Sequence, residues 1–181
     1  MYYICRIRIV PRQIALLRGI NVGGNKRVEM ARLRALMEEL GYSDVRTYVN
    51  SGNVVFSGPR RSEQHLETAI AKAFGFEVPV VLRSRDELAD ILAANPLRDV
   101  ANDPAKHLVV FCSAKASTDL DPGDFAPETF HVRGREVYLW APGGIGTSPL
   151  AKALATKSIG DKSTARNWRT VEKLLGLADD A

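Results

Sequence analysis

The sequence predicts an α+β protein. A ferredoxin-like βαββαβ part occupies residues 13–96, and a smaller α+β part with a hairpin and C-terminal helices occupies residues 97–181. Three observations carry this. Apolar residues recur with periods of two and of 3.6 in the order strand, helix, strand, strand, helix, strand through the first half. A glycine-rich turn, Arg18-Gly19-Ile20-Asn21-Val22-Gly23-Gly24-Asn25-Lys26, separates the first strand from the first helix. Residues 97–106 are polar and contain Pro104, which suits a boundary between halves.

The elements follow in order. Residues 13–17 read as a short buried strand. Asn25 is an expected N-cap, and Met30, Leu33, Leu36, Met37 and Leu40 recur at helical spacing before Gly41 ends the run. Val45, Thr47 and Val49 alternate as a strand. Asn50-Ser51-Gly52 is turn chemistry, and residues 53–56 return as a second strand. Ser62 caps a helix that Gly75 closes, and residues 78–82 make the next strand. Ser84-Arg85-Asp86-Glu87 is a capping box for a short helix. Residues 107–112 read as a strand, residues 114–129 as turn-rich chain, and residues 130–132 and 136–140 as a hairpin. Ser148-Pro149 starts a helix to about Thr156. Ser163 is expected to cap a last helix buried through Trp168, Val171, Leu174 and Leu175 and closed by Gly176. On it Arg166, Arg169 and Lys173 would share a second face.

Composition sets bounds on function. An apolar fraction of 45% and a charged fraction of 25% over 181 residues describe an ordinary globular protein. No apolar run reaches the ~20 residues that span a bilayer, and Arg6 and Arg8 interrupt the N-terminal apolar stretch that a signal peptide needs. A cytoplasmic protein without membrane contact is expected. Residues 1–12, isolated by Pro11, are expected to lie outside the core. The net charge of +4 is carried by basic ends around an acidic middle, a polarity that steers anionic partners. A homo-oligomer is compatible with all of this.

The glycine-rich turn is the leading candidate site. Backbone N–H groups at a strand-to-helix turn attract anions. A right-handed crossover makes the first two strands parallel, so residues 18–26 and 50–53 should converge at one edge of the sheet. The expected ligand-binding set is Arg18, Gly19, Asn21, Gly23, Gly24, Asn25 and Lys26 with Asn50, Ser51 and Asn53 opposite. Arg166 and Arg169 add positive charge. The expected ligand bears phosphate and is a nucleotide or a nucleic acid. Arg18 has two readings, a clamp on an oxyanion or a brace on turn carbonyls. An enzyme acting on a phosphorylated substrate and a structural or interaction protein are the alternatives. A structural turn accounts for the glycines alone, and a hairpin turn for Asn50, Ser51 and Asn53.

Other chemistries are poorly matched. The turn lacks the lysine and hydroxyl of a Walker A loop and is not a dinucleotide G-x-G-x-x-G. His65, His107 and His131 have no i,i+4 partner, so no metal is expected. Cys5 and Cys112 sit in no reactive motif, no G-x-S-x-G elbow is present, and no cofactor is expected. The glycine loop at residues 142–148 could hold phosphate, but a Ser-Pro helix start explains it as well. The strand at residues 53–56 offers only Phe56 for stacking, which disfavours RNA readout by that face.

Three stretches together resemble a known family: Ala15-Leu16-Leu17-Arg18-Gly19-Ile20-Asn21-Val22-Gly23-Gly24, Thr47-Tyr48-Val49-Asn50-Ser51-Gly52-Asn53-Val54, and Thr164-Ala165-Arg166-Asn167-Trp168-Arg169-Thr170-Val171-Glu172-Lys173-Leu174-Leu175. They are similar to the bacterial domain of unknown function 1697, over residues 13–175. The resemblance implies a cytoplasmic α/β protein with a ferredoxin-like part and implies no activity. Members begin just before the first strand, so residues 1–12 depart from the pattern.

Overall fold

The structure, a computed structural model, describes residues 10–24, 26–157 and 159–180. The first nine residues of the expected leader, and the N-cap expected at Asn25, lie outside the described residues. The elements are β1 (Arg12–Leu17), α1 (Met30–Glu39), β2 (Ser43–Tyr48), β3 (Asn53–Ser57), α2 (Glu63–Phe74), β4 (Val80–Ser84), α3 (Arg85–Ala93), β5 (His107–Cys112), β6 (Thr129–Arg133), β7 (Glu136–Trp140), α4 (Pro149–Thr156), β8 (Ser163–Asn167) and α5 (Trp168–Asp179). They form a mixed α+β architecture with two four-stranded antiparallel sheets, ordered β2-β3-β1-β4 and β6-β7-β5-β8.

Local chemistry explains most element ends. The Ser62 hydroxyl accepts the His65 N–H at the start of α2, and Gly75 ends that helix at φ +83°. Ser84 and Glu87 make a reciprocal capping box on α3. Three expectations at helix ends are corrected. α1 starts at Met30 rather than near Lys26, with Glu29 at its N-cap position making no side-chain cap. Residues 163–167 are not a cap and first turn but strand β8, and Asn167 caps α5 by accepting the Thr170 N–H. α5 also runs through Gly176 to Asp179, because Ala178 belongs to its buried face and carries the helix onward. Arg166 therefore sits on a strand, and the helix face expected to join it to Arg169 and Lys173 does not exist.

The second sheet repeats the first strand for strand. β1 pairs with β4 from Gln13↔Ser84 to Leu17↔Val80, and β5 pairs with β8 from Leu108↔Asn167 to Cys112↔Ser163. β1 pairs with β3 from Arg12↔Ser57 to Leu16↔Asn53, and β5 with β7 from His107↔Trp140 to Phe111↔Glu136. Each last strand leads directly into a helix, α3 or α5, and these two helices pack together. Strand alternation then sorts the side chains into three layers. Ile14, Leu16, Val55 and Val81 of one sheet meet Val109, Phe111, Tyr138 and Trp140 of the other in a central core closed by α3 and α5. The outer face of the first sheet is covered by α1 and α2, and that of the second by α4 and the loop before β6.

Candidate functional site

Residues 18–29 and the turn at residues 49–52 meet at the C-terminal end of β1. The Asn21 side chain joins them. Its Nδ2 donates to Val28 O (3.0 Å) and Asn50 O (2.8 Å), and its Oδ1 accepts the Val28 N–H (2.9 Å). Gly52 is required where the segments touch. Its φ is +77°, and a Cβ there would lie 2.6 Å from Leu17 Cβ and 2.8 Å from Ile20 Cδ1. Between loop, turn and the start of α1 lies an open hollow of about 640 Å³, lined by Asn21, Gly24, Arg27, Glu29, Ala31 and Asn50. The uncapped N–H groups of the first turn of α1 border it. Val22 is 74% exposed and Val49 52% exposed, one on each segment. Val49 has φ +49°, a strained conformation for a β-branched residue.

The expected site residues separate into groups. Asn21, Gly24 and Asn50 line the hollow, with the exposed Gly23 and Ser51 on the same two segments. Gly19 is exposed at φ +68°, where it turns the chain out of β1. Lys26 is turned away, its Nζ donating to Glu77 O at 2.8 Å. Arg18 is exposed and lines a different cavity, against α4 and β8. Arg169 is exposed and lines neither cavity. Arg27, which the sequence reading passed over, takes the cationic place in the hollow. Its only sequence signal was adjacency to Lys26.

Asn53 and Arg166 are fully engaged by the protein itself. Arg166 is buried and reaches from β8 into the first half. Its Nη2 donates to Leu17 O (2.7 Å), Ser51 O (3.1 Å) and Gly52 O (3.4 Å), its Nε donates to Asn53 Oδ1, and its Nη1 donates to Thr164 Oγ1 (2.7 Å) and Ala165 O (2.8 Å). Asn53 spends its own N–H bonds on Tyr48 O and Ser51 Oγ. No donor of the guanidinium is left for a ligand. Burial lowers the Arg166 pKa to about 10, so it remains cationic at neutral pH. The brace on turn carbonyls considered for Arg18 is thus made by Arg166.

Arg83 does the same in the opposite direction. It too is the last residue before an N-cap, on β4. Its Nη2 donates to Cys112 O (2.8 Å) and its Nε to Glu136 Oε1 (2.9 Å), at the end of β5 and the start of β7. These positions correspond by register to Leu17 and Asn53. The second glycine loop is also occupied internally. The Glu128 carboxylate accepts from Ser148 Oγ (2.7 Å) and the Leu150 N–H (3.0 Å) at the start of α4, where a phosphate would have to sit.

Among the described residues no cluster of three His, Cys, Asp or Glu side chains could hold a metal, and no helix is long and apolar enough to cross a membrane. Residues 10–138 match the profile of the "Protein of unknown function (DUF1697)" family, and the chain belongs to it. Among solved structures, the conserved bacterial protein SP0830 from Streptococcus pneumoniae is similar, with 25% sequence identity and a TM-score of 0.72 over 93% of this chain and 99% of that one. Comparison with curated proteins gives no match.

Proposed function

We propose that this is a small binding protein whose ligand bears a phosphate, seated in the hollow between residues 18–29 and 49–52. The observation that carries this is the convergence, on one concave surface, of an uncapped helix start and the Arg27 guanidinium, with two exposed valines, Val22 and Val49, on the chain beside it. The helix start and Arg27 would hold the anion, and Val22 and Val49 would cover an apolar ring. The volume suits a nucleotide better than a nucleic-acid duplex. The exposed Glu29 narrows the anion position to the Arg27 side. We read the β2-β3-β1-β4 sheet with its two helices as the ferredoxin-like arrangement, which brings the two segments to one edge, and we infer a cytoplasmic setting from the composition.

A structural or interaction role is the second reading. It is favoured by Asn21, Asn53 and Arg166, whose side chains are all consumed by internal hydrogen bonds. Calorimetric titration with AMP, adenosine and a short 5′-phosphorylated single strand separates the two. AMP binding without adenosine binding is expected, weakened about tenfold in Arg27→Ala, as for loss of one charge-assisted hydrogen bond. No response to AMP or to the oligonucleotide would remove the phosphate reading.

A further inference from the structure

The two halves differ at the outer edges of their sheets. β4 is an edge strand whose outward N–H groups are capped from within. Val80 N–H donates to Glu67 Oε1 (2.9 Å) and Leu82 N–H to Glu63 Oε1 (3.0 Å). These carboxylates also pair with Lys162, reached from the other half, at 2.8 and 3.4 Å. An edge closed by two carboxylates and a cation is protected against stray pairing.

β8 holds the same place in the second sheet, and register carries Val80 onto Ser163 and Leu82 onto Ala165. Ser113 N–H donates to Lys162 O at 2.9 Å, the counterpart of Arg18 N–H on Pro79 O at 2.9 Å, so alternation aims the Ser163 and Ala165 N–H groups outward. No side chain among the described residues accepts from either. Matching the buried pair Leu66 and Ile70 of α2 to Leu150 and Leu154 of α4 puts Ala151 where Glu67 stands. The missing carboxylate leaves an apolar slot of about 180 Å³ between α4 and β8, lined by Val110, Leu139, Ala151, Leu154 and Ala165. Ser163 and Ala165 are also smaller than the Val80 and Leu82 they replace. Arg18, from the other half, stands at the slot with no carboxylate against it among the described residues.

We infer that the slot between α4 and β8 is a binding site for a small aliphatic monocarboxylate. Its carboxylate takes the place of Glu67 on the Ser163 N–H group, beside the open Ala165 N–H, and pairs with Arg18. Its short apolar tail lies against Leu139, Ala151 and Leu154. The slot is below the ~300 Å³ of ordinary drug-sized pockets, which excludes a nucleotide. This site is separate from the phosphate hollow and does not depend on it.

The test is an amide NMR titration of the full chain with sodium isovalerate, with sodium chloride and isovaleramide as controls. Saturable shifts of the Ser163 and Ala165 amides are expected with isovalerate alone. Arg18→Gln should weaken binding about tenfold. Ala151→Glu should graft the missing carboxylate, shift the same amides without ligand and abolish isovalerate binding. Amides that ignore isovalerate, or that respond equally to chloride or isovaleramide, overturn the proposal. So does wild-type affinity in Arg18→Gln, a measurement that stands even if Ala151→Glu does not fold.

Discussion

The two buried arginines perform one task with different partners. Arg83 reaches from the first sheet to the end of β5 and meets a carboxylate, Glu136, at 2.7 Å. Arg166 reaches from the second sheet to the end of β1 and meets only a neutral amide and carbonyl oxygens. Burial lowers both guanidinium pKa values, and for Arg83 the Glu136 charge opposes the shift. Reciprocal braces of this kind tie each half to the turn of the other. They also explain why a stretch with polar residues, Asn50-Ser51-Gly52-Asn53, is partly core.

Removing the braces should therefore have large and unequal effects. Arg83→Met strands a nearly buried carboxylate and should cost about 3–5 kcal/mol in urea unfolding. Arg166→Met strands only neutral acceptors and should cost less, roughly 2–4 kcal/mol. Equal losses below about 1 kcal/mol would mean that neither arginine joins the halves.

His107 marks a further contrast inside the central core. It is buried, stacks on Trp168 at 4.5 Å between ring centroids, and its Nε2 has no partner among the described residues. Burial lowers its pKa from 6.5 to about 4. As pH falls through 6.5 the unfolded chain takes up a proton that the folded chain refuses until about 4. Stability is thus complete above this window and declines within it, by as much as roughly 3 kcal/mol. His107→Phe keeps the stack and should flatten the fall in urea midpoint between neutral pH and the lower end of that window. A mutant curve parallel to wild type would contradict this.

The smallest effect is expected at the turn. Val49→Asn relieves a β-branched residue at positive φ and should raise stability by about 1 kcal/mol, read as a higher melting temperature. If the strain serves the hollow, AMP affinity should fall in the same variant.

What was legible in the sequence was chemistry that acts locally. The Ser84 capping box, the Ser62 cap with Gly75, and the Ser148-Pro149 start all depend on neighbours within four residues. β8 was not legible because Ser163-Thr164-Ala165-Arg166-Asn167 is polar, and its strand character comes from pairing with β5. For the same reason Arg166 read as a surface cation. Its partners Leu17, Ser51 and Asn53 lie more than a hundred residues away in the chain, and no local pattern announces them. Arg18 read as the loop's cation, yet the chain turns at Gly19 and leaves it facing the other half. Repetition of the sheets was hidden too, since the halves share register and topology but few residue types.

The reciprocal bracing is tested most directly by two double-mutant cycles in urea, Arg166 with Asn53 and Arg83 with Glu136. Coupling of about 1 kcal/mol or more is expected in both, with the charged pair the stronger, as befits a hydrogen-bonded ion pair against a charge–amide bond. Coupling below about 0.3 kcal/mol in both cycles would contradict it, because the two halves would then be held by the apolar core alone.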